Sequence, residues 1–166
     1  MRIITFFLFS LIYSSITYAQ TPEDRIEELG IHLPEVKQPV ANFVKWRQVG
    51  NLLFLSGEGS PQKGTLGKDL KTEDGYAAAR ETGLKILATL KAATGDLSKI
   101  KQFVKVHGMV NSAPDFYEQP GVMNGFSDLM VEVFGEKGKH ARASVGHTSL
   151  PSNIAVEIEV IVELGD

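Results

Sequence analysis

The sequence predicts an α+β fold in the order β-β-α-β-α-β-β, with both long helices covering one face of a sheet. Three observations predict it. Two apolar segments flank a Gly50-Asn51 turn, two later stretches carry apolar residues three and four positions apart, and the chain closes on two strand-like segments, 141–147 and 154–162.

Residues 1–19 read as a cleavable secretory leader. Arg2 supplies a positive start, residues 3–13 are mostly apolar, and Thr17 and Ala19 are the small residues a signal peptidase reads before Gln20. The apolar run is shorter than the roughly 20 residues a membrane helix needs, so the mature protein is expected in a periplasm or outside the cell. Residues 20–39 form an N-terminal extension. Its short helix opens on Thr21, Pro22, Glu23 and Asp24 and stops at Gly30.

The main domain spans 40–166. Strands are expected at 43–49 and 52–56, followed by a loop over 57–71 rich in glycine and polar residues. Thr72 is the expected cap of a helix whose apolar face is Tyr76, Ala79, Gly83, Ile86, Leu87 and Leu90, ended by Gly95. A strand follows at 103–110. Val122, Phe126, Leu129 and Val133 set a second amphipathic helix, which Gly135 closes. Pro151-Ser152-Asn153 reads as a turn joining the last two strands as an antiparallel pair.

Composition excludes several chemistries. There is no cysteine, which removes disulfides, thiolate catalysis, Cys-based metal sites and a lipid-anchored N-terminus. The net charge is −3; without the leader only Arg2 is lost, leaving 16 basic against 20 acidic side chains and a net charge of −4. Nucleic-acid binding normally needs a basic patch, so it is disfavoured. His32, His107, His140 and His147 have no metal-ligand spacing, and Gly57-Glu58-Gly59 lacks the lysine and helix start of a phosphate loop. Trp46 either covers a cleft or fills the core.

The closing pair carries the strongest chemical signal. Paired about Leu150, it would set Arg142 opposite Glu157 on one sheet face. A guanidinium and a carboxylate so placed form either a cross-strand ion pair, the commoner use, or a binding site for a small carboxylate. Glu159, one step along the same face, is the alternative acid. The strand at 52–55 is apolar on both sides, which points to an open sheet face covered by further copies of the chain.

Residues 51–57, the helix after Thr72, Gly95-Asp96-Leu97, Val104-Lys105-Val106, Asn124, Ala141-Arg142, Leu150-Pro151 and Val156-Glu157-Ile158-Glu159 resemble the reactive-intermediate (imine/enamine) deaminase family, the RidA-like or YjgF/L-PSP endoribonuclease family. The resemblance spans about 40–164. It implies a chorismate-mutase-like (YjgF-like) fold, a homotrimer with clefts between subunits, and hydrolysis of 2-enamino and 2-imino acids to 2-oxo acids and ammonia, without metal or organic cofactor. It also chooses Glu157 over Glu159. By position, Arg142 matches the arginine that holds the substrate carboxylate and Glu157 the acid that positions water. Phe43, Ser56, Gly57, Asn124 and Ser144 match cleft-lining positions. Phe43 stands where many members carry tyrosine, Ser144 where cysteine is frequent, and Glu58 where a neutral residue is usual. Those departures keep a second reading open, a non-catalytic trimer that binds small carboxylates or a protein. Ribonuclease activity ranks below both because the mature chain is acidic.

Overall fold

The computed structural model describes residues 20–165, so the leader expected at 1–19 lies outside the described residues. A short helix, α1 (Pro22–Glu28), opens on a reciprocal cap. The Thr21 hydroxyl accepts from the Asp24 N–H at 3.1 Å, and the Asp24 carboxylate accepts from the Thr21 N–H at 2.9 Å. This helix is docked, not free: Arg25 donates to the Glu132 carbonyl at 3.2 Å, and Ile26, Ile31 and Leu33 pack against the core.

Strands β1 (Trp46–Val49) and β2 (Leu52–Leu55) form the expected hairpin, with Gly50 at φ 58° in its turn. A short strand, β3 (Glu58–Gly59), lies in the segment expected to be a loop. Helix α2 (Thr72–Thr94) follows; its N-cap is Lys71 and not Thr72, because Asp74 at the third helical position takes the Lys71 N–H at 2.9 Å. Gly95 ends it in the left-handed conformation, φ 73°. Then come β4 (Ile100–Asn111), α3 (Gln119–Phe134), β5 (Ala141–His147) and β6 (Val156–Leu164).

The sheet order is β1-β2-β6-β4-β5, with β3 also on β6. One expectation fails here. The closing strands do not pair, because β4 lies between them: β5 runs parallel to β4 and β6 antiparallel to it. The cause is α3. A strand, a helix and a strand in succession return the chain parallel to where it started, so β5 docks beside β4 and its far side becomes a sheet edge. The chain then crosses the end of β4 to start β6 on the other side. Asn111 ties that crossing, donating to Asn153 Oδ1 at 3.0 Å and to the Ile154 carbonyl at 3.2 Å.

Both long helices cover one face, as expected. Val106, Val110, Val156, Ile158, Val160 and Val162 point toward Ile86, Leu87 and Leu90 of α2 and Val122, Phe126 and Leu129 of α3, all fully buried or nearly so. Each such side chain contributes about 1.5–3 kcal/mol. The helices touch through glycine: a Cβ at Gly125 would lie 2.0 Å from the Tyr76 carbonyl oxygen. The other face carries Phe54, Val49 and Val145 exposed beside Glu157 and Glu159.

Candidate functional site

Arg142 is a guanidinium held in advance. It shares its register row with Val106 and Val160, whose side chains are buried under the helices, so it points toward α3. Nη1 donates to Asn124 Oδ1 at 3.0 Å and Ser127 Oγ at 2.9 Å, and Nη2 donates to the Pro120 carbonyl at 3.3 Å. All three acceptors are neutral. Among the described residues no carboxylate lies within ion-pair distance of Arg142. Three of its five N–H donors are engaged, leaving one on Nε and one on Nη2. Burial holds its pKa below the ordinary guanidinium value, with Asp128 opposing, and a guanidinium so placed stays protonated.

Behind Arg142 runs a relay. Ser127 Oγ lies 3.0 Å from His140 Nε2, and His140 Nδ1 lies 2.7 Å from the Gly138 carbonyl. A carbonyl only accepts, so Nδ1 carries the proton, Nε2 accepts from the Ser127 hydroxyl, and Ser127 accepts from Arg142. The relay therefore needs a neutral imidazole. Burial, chiefly, and Arg142 hold the His140 pKa below its ordinary value, against the opposing pull of the Gly138 carbonyl. The sequence reading missed Ser127 and weighed His140 only as a metal ligand. Ser127 stands three residues after Asn124, one helical turn along the same face, which is the signal that finds it.

Glu157 sits on the opposite face of the sheet. It pairs with Met109 on β4 and with Gly59 on β3, and its carboxylate accepts no hydrogen bond among the described residues. Gly57 is pressed against it: a Cβ there would fall 2.2 Å from Glu157 Oε1. Its pKa is raised, first by burial, then by Glu159 and least by Glu58, with His147 opposing. A raised pKa makes it a better base than an exposed carboxylate.

The remaining expected residues divide between these two places. Ser56 and Phe43 fall on the Glu157 side: both line a shallow recess with Arg47, Phe43 is exposed, and Ser56 Oγ donates to the Val44 carbonyl at 2.7 Å. Phe43 precedes β1 and is not in a strand. Asn124 and Ser144 fall on the Arg142 side, and the buried Ser144 hydroxyl has no partner among the described residues. Glu58 is turned away from Glu157, although its charge still helps to raise the Glu157 pKa. It pairs with Ile158, so it lies under the helices, where Lys45 and Lys85 face it.

One chain thus does not join Arg142 to Glu157. They attach three positions apart on β4, at Val106 and Met109, with β4 between their strands. Strand spacing and rise put their Cα atoms roughly 14 Å apart, with the side chains on opposite faces. The cross-strand ion pair, one of the two readings of these residues, is absent among the described residues for that reason.

A helix-backed mixed sheet bearing an unpaired, carboxylate-ready arginine defines a class. The profile described as "YjgF/chorismate mutase-like, putative endoribonuclease" matches residues 23–164, and the chain belongs to this YjgF/RidA-like family. It is 42% identical over 148 residues to Protein TCP17 of Trypanosoma cruzi, covering 85% of this chain and 92% of that one. It is 31% identical over 136 residues to a 2-iminobutanoate/2-iminopropanoate deaminase of Dermatophagoides farinae, covering 80% and 93%. Among solved structures, the protein Atu1372 of Agrobacterium tumefaciens, described as of unknown function, superimposes with a TM-score of 0.80 at 43% identity, covering 87% of this chain and 94% of that chain.

Proposed function

We propose that the protein is an exported hydrolase that converts 2-imino and 2-enamino acids to 2-oxo acids and ammonia, in clefts shared between the copies of a homotrimer. The observation that carries it is Arg142, partly buried, fixed by three neutral acceptors and without a carboxylate partner. Its two remaining donors match a substrate carboxylate in number. Kinship to a named deaminase supplies the reaction class.

The chemistry follows from a 2-imino acid's structure. Arg142 holds the carboxylate and thereby orients the adjacent C=N carbon. Glu157 accepts a proton from water as the oxygen bonds to that carbon and passes that proton to the nitrogen, giving a neutral carbinolamine. Glu157 then takes the hydroxyl proton and delivers it to the nitrogen as the C–N bond breaks, so ammonia leaves as the C=O forms. Imines hydrolyse readily in water, so positioning with modest base assistance suffices.

Sharing the site between copies follows from the separation of its halves. Arg142 lies on the edge strand β5, and an edge with free N–H and C=O groups calls for cover. The open face bearing Phe54 and Val145 calls for the same. Export rests on the leader-like residues 1–19. The test generates 2-iminopropanoate in situ and follows ammonia and pyruvate with the mature protein and with Arg142→Ala. Acceleration by the first alone supports the reading; equal rates overturn it in favour of a carboxylate-binding module. N-terminal sequencing of protein recovered outside the cytoplasm tests export, which an intact Met1 in that fraction contradicts.

A further inference from the structure

A second guanidinium stands on the same side of the sheet as Glu157. Arg47 of β1 is opposite Phe54 of β2, and Phe54 is opposite Ile161 of β6, so Arg47 shares the open face that bears Glu157. Two strand spacings, and the four positions along β6 from Ile161 to Glu157, put the Cα atoms of Arg47 and Glu157 roughly 16 Å apart. Arg47 also lines the shallow recess with Phe43 and Ser56. That recess lies at the end of the hairpin away from the Gly50 turn, and Ser56 leads directly into Gly57, the residue pressed against Glu157.

Among the described residues no carboxylate lies within ion-pair distance of Arg47. Glu58, close to it across the hairpin, is turned under the helices and paired with Lys45. Many exposed arginines are simply solvated. This one differs in its place, because the recess it lines with the exposed Phe43 adjoins the proposed base. In the proposed reaction Arg142 holds the carboxylate beside the C=N carbon and Glu157 faces that carbon, which fixes one end of the substrate. The other end then runs along the Glu157 side of the cleft, where Phe43 offers an apolar surface and Arg47 a planar fork of donors suited to a second carboxylate.

We infer, resting on the deaminase reading, that Arg47 determines specificity: it receives the distal carboxylate of 2-imino dicarboxylic acids of the length of 2-iminoglutarate, whose methylenes lie against Phe43. Calorimetry with the product acids tests this without needing turnover. 2-Oxoglutarate and 2-oxopentanoate have the same chain length and differ only in the distal carboxylate. Both are titrated into the mature protein, Arg47→Met and Arg142→Ala; Arg47→Met keeps a long side chain at an exposed strand position and so spares the fold. The parent should bind 2-oxoglutarate at least about tenfold more tightly than 2-oxopentanoate. Arg47→Met should bind the two equally, with its affinity for 2-oxopentanoate unchanged, and Arg142→Ala should lose affinity for both. Equal binding of the two acids by the parent, a preference that survives in Arg47→Met, or an equal loss of both acids in that variant overturns the inference and leaves the role of Arg142 standing. Binding of neither acid by the parent, or undiminished binding of both by Arg142→Ala, overturns the role of Arg142 and this inference with it.

Discussion

The two halves of the candidate site are built by opposite means. Arg142 is fixed by three hydrogen bonds that it donates to α3, whereas Glu157 receives none among the described residues and is confined by the bare backbone of Gly57. The difference suits the role the proposed reaction gives to each group. Hydrogen bonds to neutral oxygens fix a guanidinium without reducing its charge; the same number donated to a carboxylate would lower its pKa and weaken it as a base. Glu157 is kept basic by burial and by Glu159 instead. In the proposed reaction the rigid group is the anchor and the underbonded one is the base.

The largest effect expected from breaking this contrast is at the anchor. Arg142→Ala should lower kcat/KM for 2-iminopropanoate by about 10²–10³, the cost of losing a charged hydrogen-bonded partner, and Arg142→Lys should recover little, since an ammonium lacks the planar fork. Steady-state kinetics check both. Next comes the base. Glu157→Gln should lower kcat by about 10² or more with little change in KM.

Stability should move the other way in that variant. Because the folded-state pKa of Glu157 is raised, the folded chain binds its proton more tightly than the unfolded chain. The resulting penalty on folding appears as pH rises above the ordinary carboxylate range. Glu157→Gln removes the penalty, so Tm at neutral pH should be equal or higher, and a lower Tm would contradict the account. A smaller effect, about tenfold in kcat, is expected from Gly57→Ala, which forces the carboxylate aside.

The smallest effect lies behind the anchor. His140 has a lowered pKa, so as pH falls below about 6.5 the unfolded chain takes up a proton that the folded chain resists, and stability is lost in that window. Urea midpoints at pH 7.5 and 5.5 should differ more for the parent than for His140→Gln. KM should also rise on acidification as the Ser127 relay is broken, with kcat changing less.

Much of this was legible in the sequence, and the failures have one physical origin. Gly50 and Gly95 mark the hairpin and the end of α2 because each adopts positive φ, and the apolar spacing of Ile86, Leu87 and Leu90 locates a buried helix face. Arg142 and Glu157 were identifiable by residue type and resemblance. Their relation is not, because nearness along the chain suggests pairing in space: the Pro151-Ser152-Asn153 break reads as a hairpin turn, whereas the helix before β5 returns that strand parallel to β4. Glu58, adjacent in sequence to Gly57, is turned to the other face by the alternation of β3, which only the strand register reveals.

The central claim is that Arg142 of one copy works with Glu157 of another, and mixing tests it most directly. Arg142→Ala and Glu157→Gln chains, each inactive alone, are unfolded together in equal amounts and refolded as mixed oligomers. If every cleft takes its arginine and its acid from different copies of a trimer, about one cleft in four combines two intact residues, and about a quarter of the parent kcat should return. If both residues serve within one chain, no mixed oligomer has an intact site, and a mixture as inactive as its components would contradict the account.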